Sequence, residues 1–105
     1  MKNLLIGIDI GTSGLKTAVF SPETGLVAAV SEDYPVDYPH PGWAEQDPDI
    51  WWNAVVRSLN RLWTEEKVDP ADVAGLAVDG QSWSCIPIDR QGRVLHKTPQ
   101  GRGQR

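Results

Sequence analysis

The sequence predicts an α/β domain built on a mixed sheet, and three observations carry that prediction. Short apolar runs between residues 4 and 30 alternate with tight glycine-containing turns, the pattern of an antiparallel meander. An amphipathic stretch from residue 48 to about 66 follows, enough for about five helical turns. A small-residue apolar run, 73–78, then has the length of a strand, and a crossover helix before it sets it parallel to the sheet.

The first strand and turn organise the chain. In LLIGIDIGTSGLK, residues 4–16, Leu4, Ile6, Ile8 and Ile10 fall on one face of a strand and Leu5, Gly7, Asp9 and Gly11 on the other. Asp9 therefore points away from the aliphatic face, between two glycines that leave space around it. A carboxylate at the end of a hydrophobic strand costs free energy unless it is solvated, paired or near a metal, and the missing side chains suggest that something approaches it. The turn Gly11-Thr12-Ser13-Gly14 lets backbone N–H groups converge on an anion; its two hydroxyls add donors and Lys16 adds a positive charge. The spacing is neither GxxxxGK[ST] nor GxGxxG, and no helical pattern follows, so the P-loop and dinucleotide readings fail. Leu15, Thr17 and Val19 instead alternate with Lys16, Ala18 and Phe20 in a second strand. On the residues alone, two readings stay open: a strand–turn–strand phosphate loop, or an ordinary glycine-rich hairpin with one awkward aspartate.

Ser21-Pro22-Glu23-Thr24-Gly25 has turn chemistry and leads to a third strand, Leu26–Val30. Residues 33–43 carry three prolines and read as an ordered loop whose Tyr34, Tyr38 and Trp43 cover the core. Asp47-Pro48-Asp49 is a helix start, with Asp47 as N-cap and Pro48 at the first helical position. Trp52, Val55, Val56, Leu59, Leu62 and Trp63 then fall on one helical face, with Asn53, Arg57, Ser58, Asn60, Arg61 and Thr64 opposite. Val68–Asp72 ends the helix. The strand 73–78 exits into Asp79-Gly80-Gln81-Ser82-Trp83, where open α/β sheets bind ligands. Ser84–Asp89, Arg90-Gln91-Gly92 and Arg93–Leu95 read as a closing β-hairpin without obvious chemistry, and residues 98–105 as a disordered tail dominated by Gly, Gln and Arg.

Composition narrows the function classes. A length of 105 residues gives room for one small domain, and 40% hydrophobic content is ordinary for a globular chain. A net charge of −4 argues against sequence-independent nucleic-acid binding, which needs a basic face. There is no apolar run of membrane-spanning length and no signal-peptide h-region, so the expectation is a cytoplasmic protein with no membrane partner. Cys85 is the single cysteine; it can form no internal disulfide and reads as a small core residue. His40 and His96 lack ligand spacing, which leaves no structural metal site to expect. Five tryptophans are the compositional anomaly.

The order of elements, the motif GIDIGTSGLK, the stretch PHPGWAEQDPDIWW at residues 39–52 and the later AVDGQ together resemble the amino-terminal lobe of the FGGY carbohydrate kinases, in particular their xylulose-kinase-like branch. The resemblance covers about residues 3–95. It implies a ribonuclease-H-like fold of the actin, Hsp70 and sugar kinase superfamily, and transfer of the ATP γ-phosphoryl group to a sugar hydroxyl with Mg²⁺. Gly11, Thr12, Ser13 and Lys16 match the phosphate-contacting turn, Asp9 the supporting carboxylate that acts indirectly on Mg²⁺, and Gln81, Ser82 and Trp83 the sugar-contacting positions. Xylulose kinases usually have a Met-His pair where Ser82-Trp83 stands, which leaves the sugar open. The resemblance also leaves room for a homodimer of the full-length protein. Residues 1–97 read as part of this domain, and the family's general base matches no residue here. The chain is therefore expected to be an amino-terminal fragment inactive by itself. The alternatives are a noncatalytic phosphate- or nucleotide-binding module, or a structural fragment needing a partner lobe.

Overall fold

The computed structural model describes residues 3–81 and 84–99. Strands β1 (Leu4–Ile10), β2 (Gly14–Ser21) and β3 (Gly25–Asp33) form the expected antiparallel meander. The proline-rich loop leads to a two-residue strand β4 (Glu45–Gln46), the helix α1 (Pro48–Thr64), a short 3-10 turn (Pro70–Asp72), β5 (Val73–Asp79) and β6 (Thr98–Pro99). β5 pairs parallel with β1, so the main sheet has the order β3-β2-β1-β5, while β4 and β6 form a separate antiparallel ladder. Among the described residues, no helix is long and apolar enough to cross a membrane.

The period of two in β1 holds. Ile6 and Ile8 are 3% and 4% exposed, whereas Leu5 on the other face is 47% exposed. Ile6, Ile8, Val19, Val30, Leu62 and Val68 form the main buried cluster beneath α1, and Leu15, Tyr34 and Ala54 form a second one at the turn end of the sheet. The start of α1 is as expected: Asp47 accepts from the N–H of Asp49 at 2.9 Å, with Pro48 in the first turn.

Of the expected helical face, Leu62 is buried and Val55, Leu59 and Trp63 pack against the main cluster, but the helix is turned so that one edge of that face is left outside. Ala54, Ser58 and Leu62 are buried, whereas Trp52 is 67% and Val56 40% exposed. The small side chains of Ala54 and Ser58 let the helix come close to the sheet, and polar chemistry fills the contact. Ser58 Oγ donates to the carbonyl of Val55 at 2.9 Å, so the Thr17 hydroxyl is left to donate to Ser58 Oγ at 2.8 Å. On the β3 side, Glu32 accepts from Arg57 and Arg61 at 2.7 Å each, which pins the helix rotation. Trp52 and Val56 lie on the flank turned away from those arginines, and Trp63 stays partly buried against the main cluster.

Four smaller expectations are also corrected. Tyr34 is buried but Tyr38 is 71% exposed, because the loop turns outward where His40 and Trp43 stack edge to face at 4.4 Å. Cys85 is exposed rather than a core residue. The closing hairpin shrinks to a single bridge, Ile88 to Val94, held by the Asp89 carboxylate, which accepts from the N–H groups of Gln91 and Arg93 at 2.9 Å. An isolated two-stranded ribbon with exposed apolar residues has little to stabilise a longer ladder. The tail expected from residue 98 begins as ordered structure: Thr98 and Pro99 pair with Gln46 and Glu45, and Thr98 is fully buried. β4 needs a neighbour for its backbone groups, and β6 supplies it. Residues 100–105 lie outside the described residues.

Candidate functional site

The sheet face opposite α1 carries the chemistry. Gly7 and Asp9 of β1, Lys16, Ala18 and Phe20 of β2, and Ala77 and Asp79 of β5 line an open cavity of about 370 Å³. Glycine and alanine form a low floor, and the polar side chains stand at one end of it. The strand registers align them: Asp9 lies opposite Lys16 on one side and opposite Asp79 on the other. The result is a row Lys16–Asp9–Asp79 across three neighbouring strands, at the carboxyl ends of β1 and β5. Asp79 is held above the ordinary carboxylate range, first by a hydrogen bond with the Asp9 side chain, then by burial and by the Asp9 charge. Two adjacent carboxylates resist ionising together, so this end of the cavity favours a proton or a cation between them.

The turn that follows Asp9 is braced from behind. The N–H of Gly11 donates to the carbonyl of Gly14 at 2.9 Å. A Cβ on Gly14 would stand 2.6 Å from the Glu32 carbonyl oxygen and one on Gly11 2.9 Å from the Gly14 carbonyl oxygen, so both glycines are required by the packing of the turn itself. The carbonyl of Gly11 accepts from the Tyr34 hydroxyl at 2.5 Å and from Gln81 Nε2 at 3.0 Å. The carbonyls of Thr12 and Ser13 accept from Gln46 Nε2 at 2.6 Å and from the Tyr34 N–H at 3.1 Å. With three consecutive carbonyls tied to the protein, the exposed Thr12 and Ser13 present their side chains outward. Burial and the Asp9 charge push the Tyr34 phenol up to about 12, so it stays a proton donor to Gly11 at any ordinary pH.

Of the residues singled out in the sequence, Asp9 and Lys16 line the cavity, Gly11, Thr12 and Ser13 form the turn at its end, and Gln81 is tethered to that turn. Ser82 and Trp83 lie outside the described residues. Asp79 was visible only as part of a polar strand exit, and its place beside Asp9 depends on the parallel register of β1 and β5. Tyr34 and Gln46 had no signal for this role: one reads as core, and the other as part of a helix approach.

A mixed sheet with a meander, a crossover helix and a glycine hairpin beside a carboxylate is the architecture of the sugar kinases of the actin and Hsp70 fold. The xyloylose kinase from Brucella ovis has a TM-score of 0.91 and 29% identity to this chain, covering 98% of it and 22% of that structure. The xylulose kinase from Rhodospirillum rubrum gives 0.88 and 31%, covering 98% of this chain and 21% of that one. The family model for the FGGY family of carbohydrate kinases, N-terminal domain, matches residues 4–100. Xylulose kinase of Escherichia coli strain K12 is 40% identical over 92 residues, 88% of this chain and 19% of that protein. The chain belongs to the FGGY family of carbohydrate kinases, and it spans about a fifth of the length of the curated relatives it matches.

Proposed function

We propose that this chain is the phosphate- and sugar-contacting part of an ATP-dependent kinase that moves the γ-phosphoryl group to a hydroxyl of a pentulose-like sugar in the cytoplasm. The observation that carries the reading is the row Lys16–Asp9–Asp79 next to the braced Gly11–Gly14 turn. Phosphoryl transfer is mainly positioning and charge stabilisation. Lys16 and the N–H and hydroxyl groups of Thr12 and Ser13 would hold phosphate oxygens in line. Gln81, Ser82 and Trp83 would meet the sugar beyond β5, where the tryptophan face can stack on a sugar ring.

The donor set suits Mg²⁺. Asp9 and Asp79 are hard oxygen ligands whose mutual repulsion a dication relieves, and Mg²⁺ commonly takes one or two carboxylates while phosphates and water complete its shell. Asp9, through water, and Asp79 would hold it; when bound it neutralises charge on the phosphate oxygens. Xylulose is the candidate sugar because several relatives carry that name.

Titration of Mg·ATP into the chain tests the reading. We expect millimolar or tighter binding that Lys16→Ala weakens by roughly fivefold, about 1 kcal/mol. Unchanged affinity would remove Lys16 from the site. No sugar-dependent ADP release is expected from the isolated chain, and ADP release above the buffer rate would contradict the assignment of the general base to a segment that this sequence does not contain.

A further inference from the structure

Gln46 sits behind the turn with 1% of its surface exposed. A primary amide has two donor hydrogens and two acceptor lone pairs, and here all four are used. Nε2 donates to the carbonyls of Thr12 at 2.6 Å and Pro35 at 3.1 Å. Oε1 accepts from Trp51 Nε1 and from Gln81 Nε2, both at 3.1 Å. Backbone carbonyls can only accept and an indole N–H can only donate, so the Gln46 amide has one orientation. A flipped amide would set N–H against N–H and oxygen against oxygen. The orientation passes to Gln81, whose Nε2 donates both to Gln46 Oε1 and to the carbonyl of Gly11 at 3.0 Å. Both Gln81 hydrogens are thereby spent, and its carbonyl oxygen is the polar atom that remains.

We propose that Gln46 is a positioning residue that joins the phosphate turn to the exit of β5 and makes Gln81 a hydrogen-bond acceptor only, suited to the hydroxyl groups of a polyol. The polyol rests on the function proposed above; the joint between the turn and Gln81 does not. Because Gly11, Thr12 and Gln81 hang on one buried amide or on each other, an anion that tightens the turn is felt at the position meeting the sugar.

The test is nuclear magnetic resonance of the ¹⁵N-labelled chain as wild type, Gln46→Met and Gln81→Met, with inorganic triphosphate as the probe. In the wild type, both side-chain hydrogens of Gln81 should exchange with solvent about tenfold more slowly than those of the exposed Gln91. Triphosphate should shift the Gln46 and Gln81 side-chain signals with the same midpoint as the Gly11–Gly14 amides. In Gln46→Met the Gln81 hydrogens should exchange as fast as those of Gln91, and triphosphate affinity should fall roughly fivefold. Slow exchange at Gln81 that survives the loss of Gln46 overturns the positioning role. A turn that responds to triphosphate while both glutamines stay still overturns the joint. If Gln46→Met does not fold, Gln81→Met decides: the Gln46 side-chain signals should move in a folded protein, and unmoved signals overturn the link. A wild-type turn that ignores triphosphate removes the phosphate reading, and the exchange comparison still decides the role of Gln46.

Discussion

Asp79 shows how one residue acquires a role from its neighbour. Alone it is an exposed carboxylate at a strand end; beside Asp9, a hydrogen bond with that side chain and then burial and the Asp9 charge lower its acidity. A carboxyl whose folded value is raised contributes stability below its ordinary value of 3.8, and that contribution is lost as pH rises through the raised value. Asp79→Asn keeps a hydrogen-bond donor for Asp9 and removes the repulsion. In magnesium-free buffer, the melting temperature of Asp79→Asn should therefore exceed that of the wild type at pH 7, with the gap closing as pH falls towards 3.8. A gap that stays constant over that range would show that the two carboxyl groups do not share a proton.

At the scale of elements, the seat of α1 decides which side chains matter for stability. Leu62 is fully buried in the main cluster, and Leu62→Ala should cost about 2–5 kcal/mol in urea melts. Trp52 has the larger side chain but is 67% exposed, and Trp52→Ala should change stability by no more than about 0.5 kcal/mol. The opposite ranking would mean that the helix is turned to bury Trp52 in place of Ala54 and Ser58. The hydrophobic pattern marked residues 48 to about 66 as a helix, and Pro48–Thr64 form it, because period and caps agree locally. It could not mark the rotation, because Ala54 and Ser58 are chosen by the close approach to Thr17 and by the Glu32 pairs with Arg57 and Arg61, all distant in sequence.

Across the whole molecule, apolar surface is left uncovered beside the site. Leu76 and Val78 of β5 are 52% and 53% exposed, and among the described strands β5 has β1 as its only neighbour, so it is an edge. An open apolar edge strand favours pairing with other chains. Sedimentation velocity should show association that grows with concentration, and Leu76→Lys should increase the monomer fraction; a wild-type chain that stays monomeric at high concentration would refute this. The three-strand meander, the crossover helix, the glycine turn and the candidates Asp9 and Lys16 were legible in the sequence, because each depends on a period of two or 3.6, a cap or a turn residue within a few positions, and the parallel direction of β5 followed from the crossover helix before it. Tertiary structure alone decided that Asp79 stands beside Asp9, that Gln46, Tyr34 and Gln81 brace the turn, and that Thr98 closes a ladder with Gln46. These contacts join residues tens of positions apart, and no local preference encodes which strand or side chain arrives at them.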